Sequence, residues 1–147
     1  MGLSGTIDPT VYEGLKDVLQ RYPTVTTVTY EPNSIVKQSL QAQIDPNRVI
    51  PPSGPEAPTL DVEWRFADQD EQYRIHYADP NLGFDCGWHR DDDHPELGPV
   101  HFQYSLPGDC EPEHERATIS KEAPTEVLWL VLERLFEKKL PGLLDSS

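Results

Sequence analysis

Along residues 60 to 105, apolar and polar side chains alternate with a period of two in four successive runs. LDVEWRFA sets Leu60, Val62, Trp64 and Phe66 on one side, and QYRIHY does the same with Tyr73, Ile75 and Tyr77. FDCGWH aligns Phe84, Cys86 and Trp88, and VHFQYS aligns Val100, Phe102 and Tyr104. Successive side chains of a strand point to opposite faces, so the pattern predicts four half-buried strands. The connections DQDE, ADPNLG and RDDDHPELGP are short and rich in turn formers, which predicts an antiparallel meander with one apolar face.

The period lengthens towards both ends. Asp8 suits a helix N-cap and Pro9 its first turn, while Val11, Leu15, Val18 and Leu19 share one helical face up to Tyr22-Pro23. TVTTVTY, residues 24 to 30, is rich in β-branched residues and predicts a strand. The turn EPNS leads into SIVKQSLQAQI, residues 34 to 44, where Val36, Leu40, Ala42 and Ile44 take one side of a second strand. Residues 45 to 59 hold five prolines and predict a stiff loop crossing within one domain. ERATIS, residues 115 to 120, is a candidate short strand. From Pro124 to Leu140, the residues Val127, Leu128, Leu130, Val131, Leu132, Leu135 and Phe136 give a helix with a broad apolar stripe. The expectation is one α+β domain over residues 1 to 147: an antiparallel β-meander whose apolar face is covered by N- and C-terminal helices.

Charge sharpens this picture. There are 26 acidic and 12 basic residues in 147, a net charge of -14. Three Trp, six Tyr and four Phe argue for a packed core rather than disorder. A folded chain this acidic fits work at high salt, where the Debye length falls to about 3 Å, and the composition reads as that of a halophile. The longest strongly apolar run, VLWLVL, is far short of the roughly 20 residues of a spanning helix. The start, MGLSGTIDPT, has no basic region followed by an apolar one, so no signal peptide is expected. Gly2 and Thr6 match the loose myristoylation pattern, a modification not expected of a salt-adapted prokaryote. The expected location is the cytoplasm. Cys86 and Cys110 make neither a disulfide framework nor a C-x-x-C motif.

Alternation also assigns the opposite face of the sheet. The interleaved residues are Glu63 and Arg65, Arg74 and His76, Asp85, Gly87 and His89, and His101 and Gln103. Strands lie about 4.8 Å apart, so these side chains can meet if the four runs pair as neighbours. Any half-buried sheet has a polar face, but in so acidic a chain it should carry mainly Asp, Glu and Thr; here Arg and His stand out. Three chemistries remain open. Phosphodiester cleavage in RNA needs a general base, a general acid and cations around the phosphorane, which His and Arg supply. His76, His89 and His101 are the acid/base candidates, and Arg65, Arg74 and Arg90 the phosphate-binding ones. A zinc site would draw on His89, His94, His101 or Cys86, but the H-x4-H-x6-H spacing matches no strong motif and Cys86 faces the core, so neither metal nor other cofactor is assigned. Plain anion or partner binding is the third. Neither a G-x-S-x-G elbow nor a Gly-rich phosphate loop occurs. Asp91, Asp92 and Asp93 read as a solvated hairpin tip, His94 as a turn residue and His114 as a loop residue. Lys138 and Lys139 suit the last turn of a helix.

The strand YRIHY, the short polar turn, the strand FDCGWHR, the His-containing hairpin leading to VHFQ and the amphipathic closing helix together resemble the TumE family of small toxin-like proteins of haloarchaea. The resemblance spans about residues 60 to 139. It implies an α+β toxin-type domain, paired with an antitoxin protein and acting on RNA or translation. The family more often shows an Arg-Tyr-Asp run and doubled histidines, where this chain has His89-Arg90-Asp91 and separated His94 and His101. Residues 1 to 59 have no counterpart in it. The expected function is thus that of a toxin-like, RNA-cleaving component, with a non-enzymatic interaction domain as the alternative. An antitoxin, an RNA substrate and a second copy of the chain are the expected partners.

Overall fold

The computed structural model describes residues 3, 5–67, 70–91 and 94–144. Gly2, Asp92 and Asp93, singled out above, lie outside these. Helix α1 spans Pro9–Arg21, and the amides of Thr10 and Val11 donate to Asp8 Oδ1 at 3.0 and 3.4 Å, the expected cap. Among the described residues seven strands follow: β1 (Val25–Pro32), β2 (Lys37–Ile44), β3 (Thr59–Ala67), β4 (Asp70–Asp79), β5 (Phe84–Arg90), β6 (Val100–Ser105) and β7 (Glu113–Arg116). They form one antiparallel sheet whose spatial order is the chain order. Helix α2 (Pro124–Arg134) continues through a widened turn at Leu135–Lys139 into α3 (Leu140–Leu144). The architecture is an α+β meander, as the alternation predicts.

The apolar face is covered by the helices. Leu40, Ala42, Ile44, Leu60, Val62, Trp64, Ile75, Tyr77, Phe84, Cys86, Trp88 and Phe102 are buried together with Tyr12, Leu15 and Leu19 of α1 and with Val127, Leu128, Val131, Leu132, Leu135 and Phe136. Tyr77 meets Phe136 edge-on at 6.0 Å, and Tyr22, just past α1, stacks on Phe136 at 5.4 Å. Lys139 lies over the Phe102 ring at 4.4 Å.

Three details depart from the periodic reading. Val36 does not join β2. Asn33 Oδ1 accepts the amides of Ile35 and Val36 at 2.9 and 2.7 Å, and this side-chain turn holds both residues out of the ladder and exposed. The candidate strand at 115 to 120 lies instead at 113 to 116, where it pairs with β6. The closing helix runs past Leu140, with the Leu140 amide donating to the Leu135 carbonyl, five residues back. Pro141 has no amide hydrogen and its ring would press on the carbonyl four residues back, so a widened turn at this point relieves both constraints.

The β2–β3 ladder runs from Leu40↔Val62 to Gln43↔Thr59. Beyond it the Tyr12 hydroxyl stands between the strands. It donates to the Gln38 carbonyl at 2.7 Å and accepts the Trp64 amide at 3.1 Å. Helix α1 is thereby tied into the sheet by a hydrogen bond that two backbones would otherwise exchange.

Candidate functional site

The strand register sets two rows of side chains across the uncovered face. One row runs Glu63, Arg74, His89, His101 and Arg116 from β3 to β7. The next runs Asp61, His76, Gly87, Gln103 and His114. His76, His89 and His101 therefore meet, as alternation requires. The contacts extend further, because all five histidines of the chain form one continuous array. Ring centroids are 5.6 Å apart for His76–His89, 5.1 Å for His89–His101, 4.8 Å for His94–His101 and 4.3 Å for His94–His114.

This is not a wet face. His89 and His101 are buried, and the His76 side chain is 12% exposed. Gly87 explains how His76 fits. A Cβ at position 87 would lie 2.6 Å from His76 Nδ1 and 2.5 Å from the Ile75 carbonyl oxygen, so the imidazole lies against bare backbone. At the other end, the turn at Pro95–Leu97 lays His94 over His101 and His114. The Leu97 amide donates to the His94 carbonyl at 3.0 Å, and Arg116 Nη2 donates to the Glu96 carbonyl at 2.8 Å.

The hydrogen bonds define a relay. His76 Nε2 is 3.2 Å from Asp85 Oδ1, and His76 Nδ1 is 3.5 Å from His89 Nε2. A carboxylate accepts only, so the network assigns the His76 proton to Nε2. His76 Nδ1 then accepts from His89 Nε2–H, and the lone pair of His89 Nδ1 is the outer end of the relay. Burial, followed by the charges of His76, Arg74 and its other histidine neighbours, pushes His89 down to about 3. Burial and then Arg74 lower His76 against the opposing pull of Asp85, and burial lowers His101. His76, His89 and His101 are therefore neutral imidazoles at neutral pH.

The arginines separate. Arg74 stands in the row beside His89 and its charge acts on both His76 and His89. Arg65 is on the same face but bound elsewhere. Its Nη1 donates to the Tyr12 hydroxyl at 2.7 Å and the Gln38 carbonyl at 2.8 Å, and its Nη2 pairs with Glu63 at 2.6 Å. Arg90 is on the other side of the sheet, because it shares strand parity with Phe84, Cys86 and Trp88; its Nε donates to the Glu71 carbonyl at 2.8 Å. Neither Arg65 nor Arg90 joins the histidines.

His94 and His114, read above as turn and loop residues, do join them. The signal for His114 lies in the run Glu113-His114-Glu115-Arg116, where His114 and Arg116 fall two apart as Arg74 and His76 do on β4, but four residues are too few to read as a strand. The ligating atoms of His94, His101 and His114 lie within 4.8 Å of one another, as do those of His89, Asp91 and His101. Cys86 is buried in the core and Cys110 exposed.

Fold and site together define an α+β meander bearing a sunken histidine array. No protein-family model matches the chain, and neither a curated protein nor a solved structure matches it significantly.

Proposed function

We propose that the chain is a toxin-like domain that cleaves RNA at the His76–His89 end of the array, and that an antitoxin protein restrains it. The observation that carries this reading is the Asp85–His76–His89 relay with Arg74 alongside. In the reaction, His89 Nδ1 takes the proton of a ribose 2′-hydroxyl. The 2′-oxygen attacks phosphorus, the bond to the 5′-oxygen breaks, and the departing oxygen takes a proton from water. Arg74 holds the phosphate, and Asp85 positions His76, which positions His89. A phosphate seated on Arg74 brings negative charge to the relay and raises its proton affinity, which offsets the depression by burial. Net charge -14 opposes RNA at low salt. That repulsion is screened in a molar-salt cytoplasm, the setting we propose.

The test is a synthetic oligoribonucleotide incubated with the purified chain in molar KCl from acid to neutral pH, beside its all-deoxy counterpart. Cleavage of the RNA only, leaving a cyclic phosphate, is expected, with the rate falling about 10²–10⁴-fold in His89→Ala. Intact RNA throughout, or equal cleavage by wild type and His89→Ala, removes the reading. In that event the interaction-domain reading stands. It is favoured by Trp129, which is 40% exposed and lines, with Val18 and Leu130, a groove of about 490 Å³ beside the helices. Among the described residues no helix is long and apolar enough to cross a membrane.

A further inference from the structure

We infer that His94, His101 and His114 form a binding site for one divalent transition-metal ion, with zinc the ion that fits best. The site is built, not incidental. His101 is 2% exposed and its Nε2 has no hydrogen-bond partner, although the rings of His89, His94 and His114 lie around it. A buried ring nitrogen left unpaired in a polar cluster is a standing cost that a bond to a metal removes. The three donors come from three separate pieces of chain: the 94–97 turn, β6 and the edge strand β7.

The geometry is close to what zinc needs. Zinc–nitrogen bonds of about 2.0–2.1 Å in a tetrahedron set the nitrogens about 3.4 Å apart. The donor atoms lie within 4.8 Å of one another, so no pair has to close by more than about 1.4 Å. His94 and His114 are only half-buried and can make that adjustment by rotating. The second group, His89 with Asp91 and His101, shares His101. The His94 trio is preferred because its donors are three imidazoles and it leaves His89 Nδ1 to the proposed relay. The donor set selects the ion class. Three imidazoles without a thiolate suit zinc, copper or nickel, whereas magnesium and calcium take oxygen ligands. Water or the nearby Asp91 carboxylate would complete the shell. The bound ion would join β7, the four-residue edge strand, and the 94–97 turn to β6. This site adjoins the proposed RNA chemistry through the His89–His101 contact, but its test needs no RNA.

The full chain, stripped with a chelator and dialysed, is titrated with Zn²⁺ in a calorimeter in KCl containing excess Mg²⁺. The magnesium occupies the many surface carboxylates. One saturable equivalent is expected, with a zinc-dependent rise in melting temperature. His94→Ala and His114→Ala should each weaken binding by more than about tenfold, since loss even of a partner behind a ligand costs that much. Co²⁺ in the wild-type chain should give the intense visible band of a tetrahedral nitrogen site, a readout that does not depend on how the variants fold. No saturable equivalent in the presence of Mg²⁺, uptake unchanged in the His94→Ala/His114→Ala double variant, or a weak octahedral cobalt spectrum would each overturn the site.

Discussion

Acidification should unfold this protein through His89. The group is neutral in the folded state and carries a value near 3, against an ordinary 6.5 in the unfolded chain. Between those values the unfolded state binds a proton that the folded state refuses, so stability is fully present above pH 6.5 and is lost as pH falls towards 3. The slope approaches one proton, about 1.4 kcal/mol per pH unit. At pH 5 the loss from His89 alone is about 2 kcal/mol, a large part of the roughly 5–15 kcal/mol that holds a domain folded. His76 and His101 are lowered as well and steepen the loss. The assay is urea denaturation at several pH values at constant molar KCl, with a chelator present to keep metal off the array. The comparison is with His89→Gln, which keeps polarity but cannot titrate. Wild type should lose stability more steeply than the variant between pH 6.5 and 5. Parallel pH profiles would refute the burial and neutrality assigned to His89.

Gly87→Ala should cost about 1–3 kcal/mol, because the new methyl collides with the Ile75 carbonyl as well as the His76 ring; denaturation midpoints check this, and a cost near zero would mean that His76 does not lie over position 87. Native-state thiol labelling should modify Cys110 quickly and spare Cys86, whose thiol is pushed up by burial and which sits among Phe84 and Trp88. The melting temperature should rise with KCl towards molar concentrations, since the self-repulsion of net charge -14 is screened there; a flat or falling curve would remove the halophilic reading.

The sheet was legible because its period of two persisted over four consecutive runs, and the pairing of chain neighbours followed from short, turn-rich connections. Parity alone would also have placed Arg90 correctly. It is two residues on from Trp88 and so points towards the helices, yet its charge and its place at a strand end favour the polar side on inspection. Arg65 was not legible in this way. Its strand position is on the histidine face, and only the Tyr12 hydroxyl, arriving from a helix 53 residues earlier, draws it away. His94 and His114 were hidden for a similar reason. Each lies in a segment too short to show a period, and the bond from Arg116 to the Glu96 carbonyl that brings them together is a tertiary event. Val36 was misplaced by a local one, the Asn33 side chain capturing two amides.

The sequential order of the strands has a consequence for how the protein is made. Each strand finds its partner next to it in the chain, so the sheet can grow hairpin by hairpin as the polypeptide leaves the ribosome. Its apolar face gains only part of its cover early, from Tyr12, Leu15 and Leu19 of α1. The rest depends on residues 124 to 144, and the Tyr22 hydroxyl must wait for the Leu132 carbonyl, 110 residues later. Throughout that interval a nascent chain carries a paired sheet with Trp64, Ile75, Trp88 and Phe102 bare on one side. A ribosome that stalls or terminates before residue 124 would release a sticky half-product. The charges on Glu113, Glu115 and Arg116 along the last edge strand, and the acidic excess of the whole chain, are then its means of staying apart from its neighbours.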